Sequence, residues 1–172
     1  TDRLKTPGVD MTTGSLGQGA SLAAGAAFAD KLDHAGNYTY LILGDGELDE
    51  GQVWESLLFA AHHKLSNLIT AVDVNGKQLD GTTDQVCGLG DIGAKFGAFG
   101  YHVIDVENGN DTDEIYEAIL EAQKEKEVPS VLLLHTIKGA GIKKYEAMDN
   151  CHSIPVGKEE LPDFYKELDG QG

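Results

Sequence analysis

The sequence predicts a three-layer α/β fold with a mainly parallel sheet. Three observations lead there. Short apolar runs alternate with helical segments from one end of the chain to the other, the pattern of a parallel sheet covered by helices. The runs are six to eight residues long, the length of buried strands, and glycines cluster near their ends. After three of them, within three residues, comes glycine with small or oxygen-bearing neighbours, where such sheets present their ligand loops. The chain has 172 residues, the size of one ordinary domain with a core of its own.

Residues 1–14 (TDRLKTPGVDMTTG) read as a loop, punctuated by Pro7, Gly8 and Gly14. Ser15 to Leu32 reads as a helix, with Ala20, Ala23, Ala24, Ala27 and Phe28 near a 3.6 period. Its small side chains permit a close neighbour. Tyr38 to Leu43 is a buried strand ending at Gly44. Gln52 to Leu65 is a second helix with Val53, Trp54, Leu57, Leu58 and Ala61 on one face. Leu68 to Asp73 is a second strand, and residues 75–90 lack a period and read as a long loop. A short helix over 91–99 precedes a strand from Tyr101 to Val106. Asp111 is the expected N-cap of a helix reaching Glu127. Ser130 to Ile137 is the last strand, and a short helix is expected from Glu159 to Leu168. His135 falls inside that last strand and is expected in the core, whereas His62 and His63 read as surface residues.

Composition excludes several function classes. Thirteen Lys and Arg against 29 Asp and Glu give a net charge of −16, which disfavours nucleic acid and anionic membrane surfaces as partners. Cys87 and Cys151 make no disulfide framework and show no metal spacing. The acidic, Cys-poor chain suits a reducing cytoplasm. No apolar run reaches membrane-spanning length. An anionic ligand would have to be met by backbone amides, a helix N-terminus or a bound cation.

Asp45 lies between Gly44 and Gly46, directly after a strand and before a helix. The glycines allow a ligand close to the backbone, and the helix start turns N–H groups toward it. Asn75 ends the next strand, 30 positions later. One strand–helix–strand unit therefore sets the two tips side by side. Each alone is an ordinary Asp-Gly or Asn-Gly turn. Together they form a candidate site for a divalent cation bridging to a diphosphate, since magnesium takes hard oxygen ligands.

These residues carry a family resemblance. GDGELDEGQVWE followed by NLITAVDVNGKQLDG resembles the thiamin diphosphate signature of transketolases. TPGVDMTTGSLGQGAS resembles the segment that opens their diphosphate-binding domain, and HTIKGAG with Cys151-His152 resembles the stretch leading to an active-site histidine. The resemblance runs from Thr6 to Pro155. It implies thiamin diphosphate and Mg²⁺ as cofactors, with Asp45, Asn75 and the Lys77 carbonyl as metal ligands. It further implies that Ser15, Leu16, Gly17, Gly44, Gly46, Glu47 and Ile137 lie against the cofactor, with Gly46 offering a backbone donor. Glu50 matches a glutamate linking the two active sites of a dimer, and His152 a histidine near cofactor and substrate. Without the family, Glu50 would read as a helix cap and His152 as a surface histidine.

The implied activity is transfer of a two-carbon ketol unit between sugar phosphates. There are departures. Ser153 stands where the family usually carries Gly, nothing matches the pyrimidine-binding domain that activates the cofactor, and the upstream histidines of the family are absent. The chain therefore reads as a single diphosphate-binding domain over 1–172, N-terminally incomplete, without pyrimidine and C-terminal domains. It is expected to be inactive alone and to pair with a pyrimidine-binding domain or C-terminal subunit, as a homodimer or heterotetramer. A degenerate, non-catalytic subunit and a deoxyxylulose-5-phosphate synthase-like enzyme are the alternatives. GELDEG and TTGSLGQG speak against the second.

Overall fold

The structure is a computed structural model and describes residues 1–170. Its elements are α1 (Gln18–Leu32), β1 (Thr39–Gly44), α2 (Gly51–His62), β2 (Leu68–Val74), β3 (Lys77–Gln78), β4 (Gly81–Thr82), α3 (Thr83–Cys87), α4 (Ile92–Phe99), β5 (His102–Val106), α5 (Thr112–Ala122), β6 (Ser130–His135), α6 (Lys143–Glu146) and α7 (Leu161–Asp169). The main sheet runs β1-β2-β6-β5 and every pairing in it is parallel. Among the described residues no helix is long and apolar enough to cross a membrane.

The sheet is the middle of three layers. On one face α1, α2 and α4 bring Ala20, Ala27, Val53, Leu57 and Phe96 onto Leu43, Val72 and Val131. On the other face α5 brings Ala118 and Ala122 onto Ile69, Ile104 and Leu132. The handedness of parallel crossovers explains the division. The chain winds outward from β1 through β2 to β5, then turns back to insert β6. A right-handed return must place its helix on the opposite face. Among the described residues α5 is the one helix on that face, and Tyr40 and Ile42 of β1 stay 52% and 78% exposed.

Several boundaries differ from expectation for local reasons. Helix α1 starts at Gln18, not Ser15, because Gly17 is left-handed at φ 79°. Glycine adopts that conformation freely, and it cannot continue a helix. The segment read as one long loop contains the β3–β4 hairpin and α3, whose start is closed by a reciprocal Thr82–Gln85 capping box. Asp111 caps α5 as expected, its Oδ1 accepting from the amides of Asp113 at 2.8 Å and Glu114 at 3.2 Å. Helix α5 stops at Ala122, short of Glu127. The short α6 has no counterpart in the sequence-based expectation.

Candidate functional site

The ends of β1 and β2 meet as their spacing required. Gly44 pairs with Asp73 across the two strands. Asp45 follows, and its side chain is buried at 3% exposure. Its Oδ1 accepts from the Gly46 amide at 2.8 Å and its Oδ2 from the Gly76 amide at 2.6 Å. One carboxylate thus ties the first turn to the second. Asn75 Oδ1 accepts from the Lys77 amide at 3.0 Å, while its Nδ2 donates to Asp73 Oδ2 at 3.1 Å. Thr136, just past β6, donates to the other Asp73 oxygen. Asp73 therefore orients Asn75, a role that its place within the strand run LITAVD did not announce.

Burial pushes the Asp45 carboxyl above the ordinary carboxylate range. The amides of Gly76 and Gly46 pull it the other way, and the neighbouring Asp73 charge adds to the upward push. Neither carboxylate has an ion-pair partner among the described residues. A buried carboxylate beside a second one is a place where a cation relieves an electrostatic cost.

A second wall comes from the turn before α1. Gly17 is buried there, while Ser15 and Leu16 are exposed. The Gly17 amide donates to Glu47 Oε1 at 2.8 Å, and the Gly44 amide lies 3.4 Å from Glu47 Oε2. Glu47 sits in a 3₁₀ turn, Gly46–Asp49, which keeps its side chain between the two segments. Glu50 stands at the start of α2 but makes no capping hydrogen bond, and it is exposed.

The third wall follows β6. Ile137 is 58% exposed, and its amide donates to Asn110 Oδ1 at 2.8 Å. Lys138 Nζ lies 3.3 Å from the Lys77 carbonyl oxygen, the oxygen expected to ligate the metal. The Lys77 side chain reaches the Met148 carbonyl at 2.7 Å, and Asn150 Nδ2 the Leu79 carbonyl at 2.6 Å. These two bonds hold the loop carrying His152 onto the β3–β4 hairpin. His152 itself is exposed, with its amide on Asn150 Oδ1 at 3.0 Å.

Sequence reasoning missed Lys138, although its place directly after a strand was a usable signal. It also placed His135 in the core. The structure puts His135 at the carboxyl end of β6, exposed, with Nε2 2.5 Å from Asp105 Oδ1. The core side chains end one rung lower, so the last residue of the strand projects beyond them. His62 is exposed as expected, but His63 packs against Phe28 and Phe59, with ring centroids at 4.7 and 4.3 Å.

The Asp45 carboxylate, the Asn75 carboxamide oxygen and the Lys77 carbonyl are hard oxygen donors, the type that could hold a divalent cation. The Lys138 ammonium lies on that carbonyl, so a cation bound there would have to displace it. Among the described residues no three His, Cys, Asp or Glu side chains converge into a metal cage. The expected ligands include only one such side chain. The Gly46 amide, expected to face a diphosphate, donates to Asp45 within its own turn.

Known proteins give the arrangement its context. The family described as transketolase, thiamine diphosphate binding domain, matches residues 2–170. A 6-deoxy-6-sulfo-D-fructose transketolase subunit from a Clostridium species is 43% identical over 171 residues, covering 99% of this chain and 62% of the relative. One of the apulose-4-phosphate transketolase subunits of Phocaeicola vulgatus is 33% identical, and the match covers 96% of this chain and 58% of that relative. The chain thus spans about three fifths of these two relatives. The structure of a transketolase from Leishmania mexicana superposes with a TM-score of 0.85 at 35% identity, over 95% of this chain and 26% of that one. With its parallel β1-β2-β6-β5 sheet and its paired glycine turns, the chain belongs to the thiamine diphosphate-binding domain family of transketolases.

Proposed function

We propose that this chain is the diphosphate-binding half of a transketolase, which moves a two-carbon ketol unit between sugar phosphates with thiamin diphosphate and Mg²⁺. The observation that carries the reading is the joining of two strand ends through one buried carboxylate, Asp45, beside Asn75 and the Lys77 carbonyl. In this reading Asp45, Asn75 and the Lys77 carbonyl hold the cation. The exposed apolar side chains of Leu16 and Ile137 face the cofactor rings. His152 faces the substrate, and Glu50 faces a second protomer. The bound cofactor supplies the carbanion-stabilising chemistry. This chain anchors and orients it, and the cation offsets repulsion between the diphosphate and a protein of net charge −16.

The pyrimidine-binding half lies outside residues 1–172 in this reading, on a further domain or a partner subunit, in a homodimer or heterotetramer within the cytoplasm. The two relatives named as subunits support a divided enzyme. Their names also bring two substrates into view beside ordinary pentose phosphates, a sulfonated fructose and apulose 4-phosphate.

Calorimetric titration of thiamin diphosphate, with and without Mg²⁺, tests the cofactor site in the wild type and Asp45→Ala. Magnesium-dependent binding that the substitution abolishes is the expected result. Binding that ignores Asp45 refutes the metal assignment. Product analysis of the partnered enzyme with xylulose 5-phosphate and ribose 5-phosphate, against the sulfonated ketose and apulose 4-phosphate, identifies the sugar.

A further inference from the structure

Glu47 stands where two walls of the crevice meet. Both of its carboxylate oxygens face backbone amides, Gly17 at 2.8 Å and Gly44 at 3.4 Å. These amides belong to segments with no local connection, the turn before α1 and the end of β1. No Lys, Arg or His pairs with this carboxylate among the described residues. The amides are therefore its partners, in charge-assisted hydrogen bonds.

Gly17 depends on that contact. It is buried and left-handed at φ 79°, and a Cβ on it would lie 3.1 Å from the Glu50 Cβ. Its amide comes before the helical ladder of α1, and no side chain caps the helix from the Gly17 position. Without Glu47 that amide would be left in a tight, part-buried place with no acceptor, a costly arrangement. Ser15 and Leu16 ride on the same turn. A carboxylate is also a poor direct partner for an anionic diphosphate, because like charges repel.

We propose that Glu47 is a positioning residue: it fixes the turn Ser15–Gly17 onto the end of β1 and so sets one wall of the cofactor crevice without touching the diphosphate. The proposal rests on the reading of that crevice as a thiamin diphosphate site. It moves Glu47 from the cofactor-contacting residues to those that act through the backbone of others.

The test uses the full chain as wild type, Glu47→Ala and Glu47→Gln. Amide hydrogen exchange followed by NMR at Gly17 and Gly44 is the first readout, with β2 amides as the internal control. Glu47→Ala accelerates exchange at Gly17 by about tenfold or more, the scale of losing a hydrogen bond to a charged group. The β2 amides keep their wild-type rates. Glu47→Gln keeps one acceptor oxygen and retains most of the protection at Gly17. Titration with thiamin diphosphate and Mg²⁺ is the second readout. Glu47→Ala weakens binding by about tenfold, as loss of a ligand-orienting residue does, and Glu47→Gln recovers most of it.

Unchanged exchange at Gly17 in Glu47→Ala overturns the proposal. So does wild-type affinity in Glu47→Ala once the turn is released. Equal weakening by Glu47→Gln and Glu47→Ala, with Gly17 still protected in the former, also overturns it and marks a direct contact. If the wild type binds no thiamin diphosphate even with its pyrimidine-binding partner present, the functional reading fails, and the exchange measurement alone decides whether Glu47 holds the turn.

Discussion

Gly109 offers a sharp test of how the walls of the crevice are held. It lies in the turn from β5 to α5, and its amide donates to the His135 carbonyl at 2.8 Å. A Cβ built on it would stand 2.7 Å from the Leu134 carbonyl carbon, 2.8 Å from the Leu134 Cβ and 2.9 Å from the His135 nitrogen. Two of those atoms are backbone of β6, which is paired on both sides and cannot rotate away. Gly109→Ala must therefore push the turn off the strand. Overpacking of this kind costs about 1–3 kcal/mol, and weakening the amide bond adds about 1 kcal/mol. We expect a loss of about 3 kcal/mol, or about 6–12 °C in Tm for a chain of this size. Urea unfolding with an unchanged m-value measures it. Gly97→Ala is the control, because nothing lies within 4 Å of its added methyl and it sits inside α4. It should be neutral or stabilise by up to about 1 kcal/mol. A Gly109→Ala protein within about 0.5 kcal/mol of wild type, or a more damaging Gly97→Ala, would refute the contact argument. Asn110, whose Oδ1 accepts from the Ile137 amide, rides on the turn that would move, so the same substitution should weaken thiamin diphosphate binding.

Three further outcomes are expected. Because burial raises the Asp45 pKa, the native chain holds a proton that the unfolded chain has already lost. Stability from this group is greatest below the unfolded value of 3.8 and falls as pH rises through the higher folded value. Urea unfolding from about pH 4 to about pH 7, wild type minus Asp45→Asn, should turn against the wild type as pH rises, and a flat or opposite trend would exclude this. Phe96→Ala removes a fully buried ring that packs on Trp54 at 5.8 Å and Tyr101 at 5.4 Å. It should cost about 3–5 kcal/mol, read from the unfolding midpoint by Trp54 fluorescence. Asp111→Ala removes the two-amide cap of α5 and should cost about 1 kcal/mol in the same assay. A neutral result would mean that water caps the helix equally well.

The layer architecture, the strand tips and the pair Asp45 and Asn75 are legible in the order of residues. Those features are written in short-range chemistry: apolar period, turn residues after a strand, and a spacing of one strand–helix–strand unit. Asp111 is legible as a cap for the same reason, since its partners lie two and three residues away. The insertion of β6 between β2 and β5 emerges only in the folded chain, because that order depends on how the whole core packs. So do the reach of Glu47 to Gly17 across 30 positions and of Lys138 to Lys77 across 61. A side chain's reach across the crevice depends on the placement of two separate backbones, which no local pattern encodes. His135 shows the converse limit. Its apolar neighbours in sequence suggest burial, yet its place at the last rung of β6 puts it in solvent beside Asp105, because the core ends before the strand does.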